Sequence, residues 1–594
     1  MSMTHLSTRQ LYDAILLGCQ QLIRGGAYLN QINVYPVADG DTGNNMASTA
    51  NAILTFSSEQ AFIDETLQSV ADASVIGAHG NSGIIFSQFF NGLAEGAIRQ
   101  QHISIDDFSR LLLQAAKRVR QAIAVPIEGT ILTLIEAWAN IFHSMTARID
   151  NFHDLMNDLL PILEETVQST AETLPALKNA NVVDAGALGF YYFVNGFSDS
   201  LHHVDHSPRA LTQVNHIPVQ HMMPTMAERP EYRYCTEAVF HSDKLDSEQL
   251  QAILEQNGDS VVLTGNERIR RFHVHTNKPS HLFTHLIQQG RIQYPKIDDM
   301  TRQYEMLHQR QNDIALVTDS SADIPMHWHD KYQIHQLLLN IHLDDCDLLD
   351  RHCLDSKHIY PIVSKLSTHP QTSSPAPAFL QEKLGVLSSH YKHVLVLSIS
   401  REMSSTFDMI MHASAMYSNI KVINTKTTSG GHGLLLAYTA EMIASYMNFD
   451  SICNALNAAI ESTYIFVMVD DLSCMIRSGR VSKLTGRLGQ VTGIKPIISL
   501  DENGQGVVYD KAFTTASGLR RLISIVQKKT QSSGKTLAQY CIVHAGVEEK
   551  AMEFSELTTK AFEQSPAYIE HVSPVIGFHA GQGCIGLAVR LIDA

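Results

Sequence analysis

The sequence has no run of about 18 apolar residues, the length a membrane helix needs, so no membrane span is expected. Its first residues, MSMTHLSTRQLYDAILLG, lack a basic patch leading into a long apolar stretch, so no secretory leader is expected either. Basic residues are in the minority: 44 Lys and Arg face 60 Asp and Glu, a formal charge of −16. A net acid does not draw a phosphate backbone over long range, which argues against a general nucleic-acid binder. A small phosphorylated ligand is not excluded, because a divalent cation and local amides can hold one. None of the eight cysteines (Cys19, Cys235, Cys346, Cys353, Cys453, Cys474, Cys541 and Cys584) forms a C-x-x-C pair. They read as reduced thiols of a cytoplasmic protein. No internal repeat is visible.

What is present is core material. Hydrophobic residues make up 44% and charged residues 18%, which argues against overall disorder. At roughly 150 residues per domain, 594 residues suggest about four units, and two large ones plus a small one also fit. From residue 7 to about 200 the pattern is helical. Leu11, Ile15, Cys19 and Ile23 recur on one helix face, and similar patterns follow near 82–98, 103–123, 131–145 and 152–173. An all-α domain is expected over 1–200. Residues 201–230 bring proline, five histidines and no period, the texture of a linker, with a metal-binding histidine tract as the sharper alternative. Residues 231–310 read as a small α+β unit, with strands at YRYCTEAVF, DSVVLTG and RIRRFHVHT and a helix at SEQLQAILEQNG. Over 313–594, short apolar strands (IALVTDS, HVLVLSIS, IKVINT, YCIVHAG) alternate with helical segments, which predicts a mostly parallel sheet. Ligands of such sheets sit beyond the carboxyl ends of the strands, where TDSS, SISR and NTKTTSGG lie.

Chemistry-bearing residues gather in loops that open helices. In NVYPVADGDTGNNM, Asp39 and Asp41 flank Gly40, and a tight turn would point both carboxylates at one cation; Mg²⁺ prefers such hard oxygen ligands. The same residues also suit an ordinary Asp-Gly turn. Gly80, Asn81, Ser82 and Gly83 precede an apolar helix, where exposed amides suit phosphate oxygens or a plain N-cap forms. PIEGT, with Gly129 and Thr130, opens the next helical run, and VVDAGA offers Asp184 and Gly186 beside small residues.

These four segments resemble the nucleotide-binding domain of the dihydroxyacetone kinase family, in the version found in bacterial fatty acid kinase, over roughly residues 7–200. The resemblance implies an eight-helix barrel that binds ATP through Mg²⁺. Asp39 and Asp41 would be the metal ligands, with Asn33 a third neighbour and Thr42 and Asn45 beside them. Gly80, Asn81, Ser82 and Gly83 would cradle phosphates, and Gly129, Thr130, Asp184 and Gly186 would line the nucleotide pocket. His79 stands where the family pattern has arginine. Histidine titrates near neutrality, so His79 would neutralise a phosphoryl group less well at alkaline pH.

In the middle unit, His273 and His275 are two apart on a strand and therefore share a face. With Cys235 they form a plausible Zn²⁺ set, or else one buried cysteine and two polar-face histidines. The segments YCTEAV, GDSVVLTG, HVHTNKP and IDDMTRQ resemble the middle domain of fatty acid kinase, which implies a metal on these three side chains.

Hydroxyl clusters mark the last half: Thr372 and Ser373, then Ser404 in SREMSST, followed by RSGRV with Arg480 and GFHAGQG with His579. Hydroxyls at strand ends and helix starts donate to a carboxylate, with Arg or His adding charge, though each cluster alone also suits capping. Together they resemble the DegV family of fatty-acid-binding proteins over nearly all of 313–594. That resemblance implies a two-lobed α/β fold with a buried acyl tunnel. Thr372, Ser373 and Ser404 would hold the carboxylate of a long-chain fatty acid, with Arg480 and His579 at the head group. Ser405, Ser478 and Gln582 depart from the family pattern of Gly, Gly and Pro.

The combination reads as a multidomain fusion of ATP site, middle domain and acyl carrier. The carrier-like half stands where fatty acid kinase has its own carboxy-terminal domain. The expected activity is phosphorylation of a bound fatty acid to acyl phosphate, with Asp39, Asp41, Arg480 and His579 catalytic. The expected setting is a cytoplasmic homodimer whose product passes to an acyltransferase, with only transient membrane contact. A kinase of a small polar substrate such as dihydroxyacetone and a non-enzymatic fatty-acid sensor are the alternatives.

Overall fold

The structure, a computed structural model, describes residues 3–35, 40–123, 126–201, 229–357, 359–363, 368–470, 472–480 and 494–593. Asp39 and residues 202–228, most of the expected linker with its histidine tract, lie outside the described residues. The chain divides into two compact units, residues 1–278 with 286–304, and residues 279–285 with 305–594.

The first unit begins with a short antiparallel pair, β1 (His5–Ser7) and β2 (His102–Ser104). Ser7 then caps α1 (Thr8–Ile32) in a reciprocal capping box with Gln10, which satisfies two amides at the helix start. The helices that follow are α2 (Thr42–Phe56), α3 (Ile63–Gly77), α4 (Gly80–Gly96), α5 (Ile105–Ala122), α6 (Ile131–Met145), α7 (Phe152–Thr173), α8 (Pro175–Ala180) and α9 (Ala185–Leu201). Each long helix packs on the next, α7 packs on α9, and α9 returns to α1. Inside lies an aromatic cluster of Phe86, Phe89, Phe90, Trp138, Phe190 and Phe193, with ring centroids 4.9–6.4 Å apart and mostly edge-to-face. Such pairs add about 0.5–1.5 kcal/mol each beyond the area they bury. The α1 core face runs through Leu11, Ile15, Cys19 and Leu22; Ile23 is only partly buried. A strict four-residue step overruns the helical turn by about 40° each time, so by the third step the core position has moved back one residue.

The same unit contains an antiparallel sheet of order β4-β5-β3-β6, built from β3 (Tyr234–His241), β4 (Asp259–Gly265), β5 (Ile269–Thr276) and β6 (Arg291–Asp299). β4 and β5 pack against α3 and α4.

Among the described residues the second unit holds three sheets. One is parallel throughout, of order β13-β12-β7-β8, from β7 (Ile314–Asp319), β8 (His335–Leu337), β12 (His393–Ser398) and β13 (Ile420–Asn424). Its two faces are both buried: Leu316, Leu395 and Leu397 pack on one side, Val317, Val394 and Val396 on the other. A small antiparallel sheet joins β9 (Asn340–Leu343), β10 (Cys346–Leu349) and β11 (Gln371–Ser373). The third, of order β16-β15-β14-β19-β17-β18, contains β14 (Thr463–Met468), β15 (Lys495–Leu500), β16 (Gly506–Ala512), β17 (Lys535–His544), β18 (Ile569–His571) and β19 (Ile585–Asp593). It corrects the parallel expectation for YCIVHAG. That segment is the end of β17, which runs antiparallel to β19 and parallel only to the three-residue β18. A strand buried on both faces is a continuous apolar run whichever way its neighbours point, so its sequence does not reveal direction.

No described helix is long and apolar enough to cross a membrane.

Candidate functional site

In the first unit, a cavity of about 580 Å³ lies between the helix starts and one face of the sheet. Asn33, Asp41, Thr42, Asn45, Gly80, Asn81 and Ser82 line it from the helical side. Asp41 precedes α2 with no side-chain capping bond of its own. The GNSG segment opens α4 and rests on α2. Gly80 has φ +59°, and a Cβ there would sit 2.2 Å from Asn45 Nδ2. A Cβ on Gly83 would sit 2.8 Å from the Asn45 carbonyl oxygen. Gly83 therefore permits the helix approach and is absent from the cavity wall. Asn81 Oδ1 is buried without a hydrogen-bond partner among the described residues.

The sheet contributes Cys235, Glu237, His273, His275, Lys296 and Asp298. Register explains the grouping. Cys235 pairs with His275 on β5 and Asp298 on β6; Glu237 pairs with His273 and Lys296. Residues directly opposite on neighbouring strands share a face, and so do residues two apart on one strand, so all six point one way. Glu237 is fully buried. Its Oε1 accepts the Gly80 N–H at 2.6 Å and lies 3.1 Å from His273 Nδ1. Its Oε2 lies 3.2 Å from His79 Nδ1 and accepts from Arg271 Nη2 at 3.2 Å. Burial opposes its charge, but His273, His79 and Arg271 hold the carboxyl well below its usual range. Lys296 sits 3.2 Å from Asp298. Burial works against the Lys296 ammonium, yet Asp298, Glu237, Asp41 and Cys235 outweigh it and raise its pKa well above the ordinary lysine value.

The ligand atoms of Cys235, His273 and His275 lie within 4.8 Å of one another. Cys235 Sγ is 3.6 Å from His273 Nδ1, and His273 Nε2 is buried without a hydrogen-bond partner among the described residues. Burial and the neighbouring charges of Glu237 and Asp298 push the Cys235 thiol well up, and burial beside His273 pushes His275 down to about 3. One sulfur and two imidazoles form a donor set that suits Zn²⁺ with one position open.

Other expected site residues fall elsewhere. His79 is the N-cap of α4 and faces Glu237 and Arg271. Gly129 and Thr130 stand before α6, and the Thr130 hydroxyl donates to the Ile127 carbonyl at 2.8 Å. Asp184 is buried at the start of α9, where its carboxylate accepts the Ala187 N–H at 2.7 Å. Burial raises Asp184 to about 7, against amides of Ala187, Ile131 and Gly186 that favour its charge. Gly129, Thr130, Asp184 and Gly186 do not line the Asp41 cavity. Asp184 is spent on joining the starts of α6 and α9. Glu237, Lys296 and Asp298 were missed in the sequence, although Glu237 sits two residues from Cys235 and so shares its face.

The second unit has its own cavity, of about 1090 Å³. Ile465, Val467, Ile498, Val543 and Gly586 wall it from the large sheet, whose alternate residues Phe466, Met468, Ile542 and Leu587 face the opposite core. Leu339, Ile399, Met403, Val572 and Val575 add further apolar wall. The polar lining holds separate hydrogen-bonded groups. Thr372 Oγ1 is 3.0 Å from His579 Nε2, Ser374 Oγ is 2.9 Å from Ser405 Oγ and 3.0 Å from Thr406 Oγ1, and Ser404 Oγ is 2.8 Å from Thr406 Oγ1. Ser373 also lines the cavity, with its hydroxyl 3.1 Å from His342 Nε2. Arg480 completes the lining. Burial, helped by Arg480 and His369, lowers His579 to about 3, so it is a neutral hydrogen-bonding group at pH 7 and Arg480 carries the charge. Of the strand ends expected to meet a ligand, Ile399, Thr428 and Ser429 reach this cavity. TDSS does not: Asp319 is buried and accepts the Ile399 N–H at 2.7 Å and the Ser398 hydroxyl at 3.1 Å.

Three family models match the chain. Residues 36–199 match the DAK2 domain, 231–307 the middle domain of the fatty acid kinase type, and 313–591 the DegV family. Protein YloV of Bacillus subtilis is 29% identical over 318 residues, which cover 51% of this chain and 57% of that protein. An uncharacterised Staphylococcus saprophyticus protein is 29% identical over 313 residues, covering 51% and 56%. The chain thus spans little more than half the length of these relatives. A DegV domain-containing protein of Clostridium acetobutylicum is 28% identical over 286 residues, covering 46% of this chain and 98% of that one. Among solved structures, a fatty acid binding DegV family protein of Streptococcus agalactiae is 28% identical and matches 47% of this chain and 98% of its own, with a TM-score of 0.43.

Proposed function

We propose that this chain, in which a DAK2 domain, a fatty acid kinase-type middle domain and a DegV-family domain are joined, transfers the γ-phosphoryl group of ATP to a fatty acid carboxylate. The observation that carries the reading is the cavity of the second unit. It combines an apolar wall with several hydroxyls, a neutral histidine and an arginine, which suits a chain with a single anionic end.

The chemistry asks little of the protein beyond alignment. A carboxylate is already ionised at pH 7, so no general base is needed. One carboxylate oxygen forms a bond to the γ-phosphorus, the bond from phosphorus to the β–γ bridging oxygen breaks, and that electron pair leaves with ADP. The product is an acyl phosphate. Asp41, with Asn33 beside it in the cavity wall and, as the family resemblance implies, Asp39, would hold Mg²⁺, which supplies neutralisation of phosphate charge when bound; the Asp41 carboxylate and Asn81 Oδ1, the latter without a hydrogen-bond partner among the described residues, are hard oxygen donors of the right kind. The amides of Asn81 and Ser82 orient phosphate oxygens at the start of α4. Lys296 faces the cavity as a fixed cation, in the role that His79, turned toward Glu237, does not fill. Thr372 and Ser404 position the carboxylate, and Arg480 offsets its charge. Cys235, His273 and His275 would hold Zn²⁺ in the same cavity.

The test is incubation of the full chain with ATP, Mg²⁺, oleate and hydroxylamine, with mass spectrometry for oleoyl hydroxamate. The expected product forms with wild type and disappears with Asp41→Ala, while oleate binding is unchanged. Rapid turnover of dihydroxyacetone without hydroxamate would replace the acceptor, and bound oleate with no ATP-dependent product would leave a fatty-acid sensor.

A further inference from the structure

The geometry points to Glu237 as a positioning residue that couples the Cys235–His273–His275 metal set to the helix start bearing Asn81 and Ser82. Its carboxylate is 1% exposed and is shared between two structures. Oε1 takes the Gly80 N–H at 2.6 Å and lies 3.1 Å from His273 Nδ1, while Oε2 faces His79 and Arg271 at 3.2 Å each. Gly80 is the first residue of α4, so the Glu237 bond fixes the backbone immediately before Asn81 and Ser82, which line the cavity. On the other side, His273 Nδ1 lies 3.1 Å from Glu237 Oε1 and 3.6 Å from Cys235 Sγ; a bond from Nδ1 to Glu237 sets the ring plane and, in this proposal, leaves the metal to Nε2, which is buried and unpartnered among the described residues. A carboxylate behind a metal-bound histidine is an ordinary orienting device. Here the same carboxylate also holds the helix start. A metal on His273 therefore steadies Glu237, and a steadied Glu237 pre-orders the α4 amides. By linkage, metal and nucleotide must then favour each other's binding by one common factor.

The proposal rests on the nucleotide reading of the Asp41 cavity. Its test is binding rather than turnover. The full chain is stripped with a chelator, and Mg²⁺·ADP affinity is measured by calorimetry with and without one equivalent of Zn²⁺. Zinc affinity is measured by chelator competition with and without the nucleotide. Wild type, Glu237→Gln and the double variant Glu237→Gln with Arg271→Gln are compared; the double variant leaves no lone buried guanidinium. Zinc is expected to tighten nucleotide binding about tenfold in wild type, within the usual span of site-to-site coupling, and the nucleotide to tighten zinc by the same factor. In both variants the factor is expected to fall below about twofold. Equal or weaker nucleotide binding with zinc would overturn the proposal. So would a zinc effect of full size in Glu237→Gln, which would mean that the metal charge acts directly on the phosphates. No nucleotide binding in any form would overturn the nucleotide reading and this proposal with it. Lost linkage with hydroxamate still formed would overturn the proposal alone.

Discussion

Lys296 is the one Lys or Arg among the described residues lining the Asp41 cavity. Its carboxylate neighbours hold it charged across the working pH range, so it offers a cation that does not titrate near neutrality. A preorganised charge aimed at a developing oxyanion is worth about 10²–10³ in rate. Lys296→Gln is therefore expected to lower kcat for acyl phosphate formation by about 10²-fold or more, with oleate affinity unchanged. A kcat within about threefold of wild type would remove Lys296 from the chemistry. The residue was legible only through structure. YPKIDD carries no motif, and nothing in the sequence says which β6 residue stands opposite Glu237. Glu237 itself was half legible: parity puts it on the same face as Cys235, but its reach to the Gly80 amide depends on packing between sheet and helix. The His79 substitution, conspicuous in the sequence, matters through contacts the sequence does not show, because its ring faces Glu237 and Arg271.

At the scale of elements, the site depends on α4 meeting α2 without side-chain separation. Gly80 occupies the left-handed region, which costs an ordinary residue about 1–2 kcal/mol, and its missing Cβ leaves room for Asn45. Gly80→Ala is expected to weaken Mg²⁺·ADP binding at least about tenfold by tilting the α4 start, while leaving oleate affinity as it was. Calorimetry with each ligand checks this; unchanged nucleotide affinity would mean that the loop absorbs the methyl group. The long helices α1 and α4 to α7 were readable because apolar residues repeat on one face. α2, α3 and α9 were not singled out. α2 is rich in Asn, Ser and Thr, and the α9 sequence AGALGFYYFVNGFSDSL is apolar almost all round, so neither shows a clear stripe. The four segments read as strands in the second half are β7, β12, β13 and β17, but β14, β15, β16 and β19 of the large sheet were not singled out, and the antiparallel course of β17 was not legible, since pairing partners distant in sequence decide it.

At the scale of the molecule, two cavities with different chemistry share one chain. The first is lined by Asp41, Glu237, Asp298 and Lys296 together with Cys235, His273 and His275; the second is mainly apolar, with Arg480 in its lining. Covalent joining sets the concentration of one site around the other by the length and stiffness of the intervening chain, independently of the solution. If the carboxylate held in the second unit is phosphorylated by the first unit of the same chain, turnover per chain does not depend on protein concentration. We expect a constant specific rate from about 10 μM down to about 0.1 μM, at saturating ATP and oleate. We also expect no recovery when Asp41→Ala chains are mixed with Thr372→Val/Arg480→Gln chains, each of which lacks one half of the reaction. A specific rate that rises with concentration, or activity restored by mixing, would show instead that one chain's carrier unit serves another chain's kinase unit. In that case the fusion would secure equal amounts of the two activities rather than their proximity.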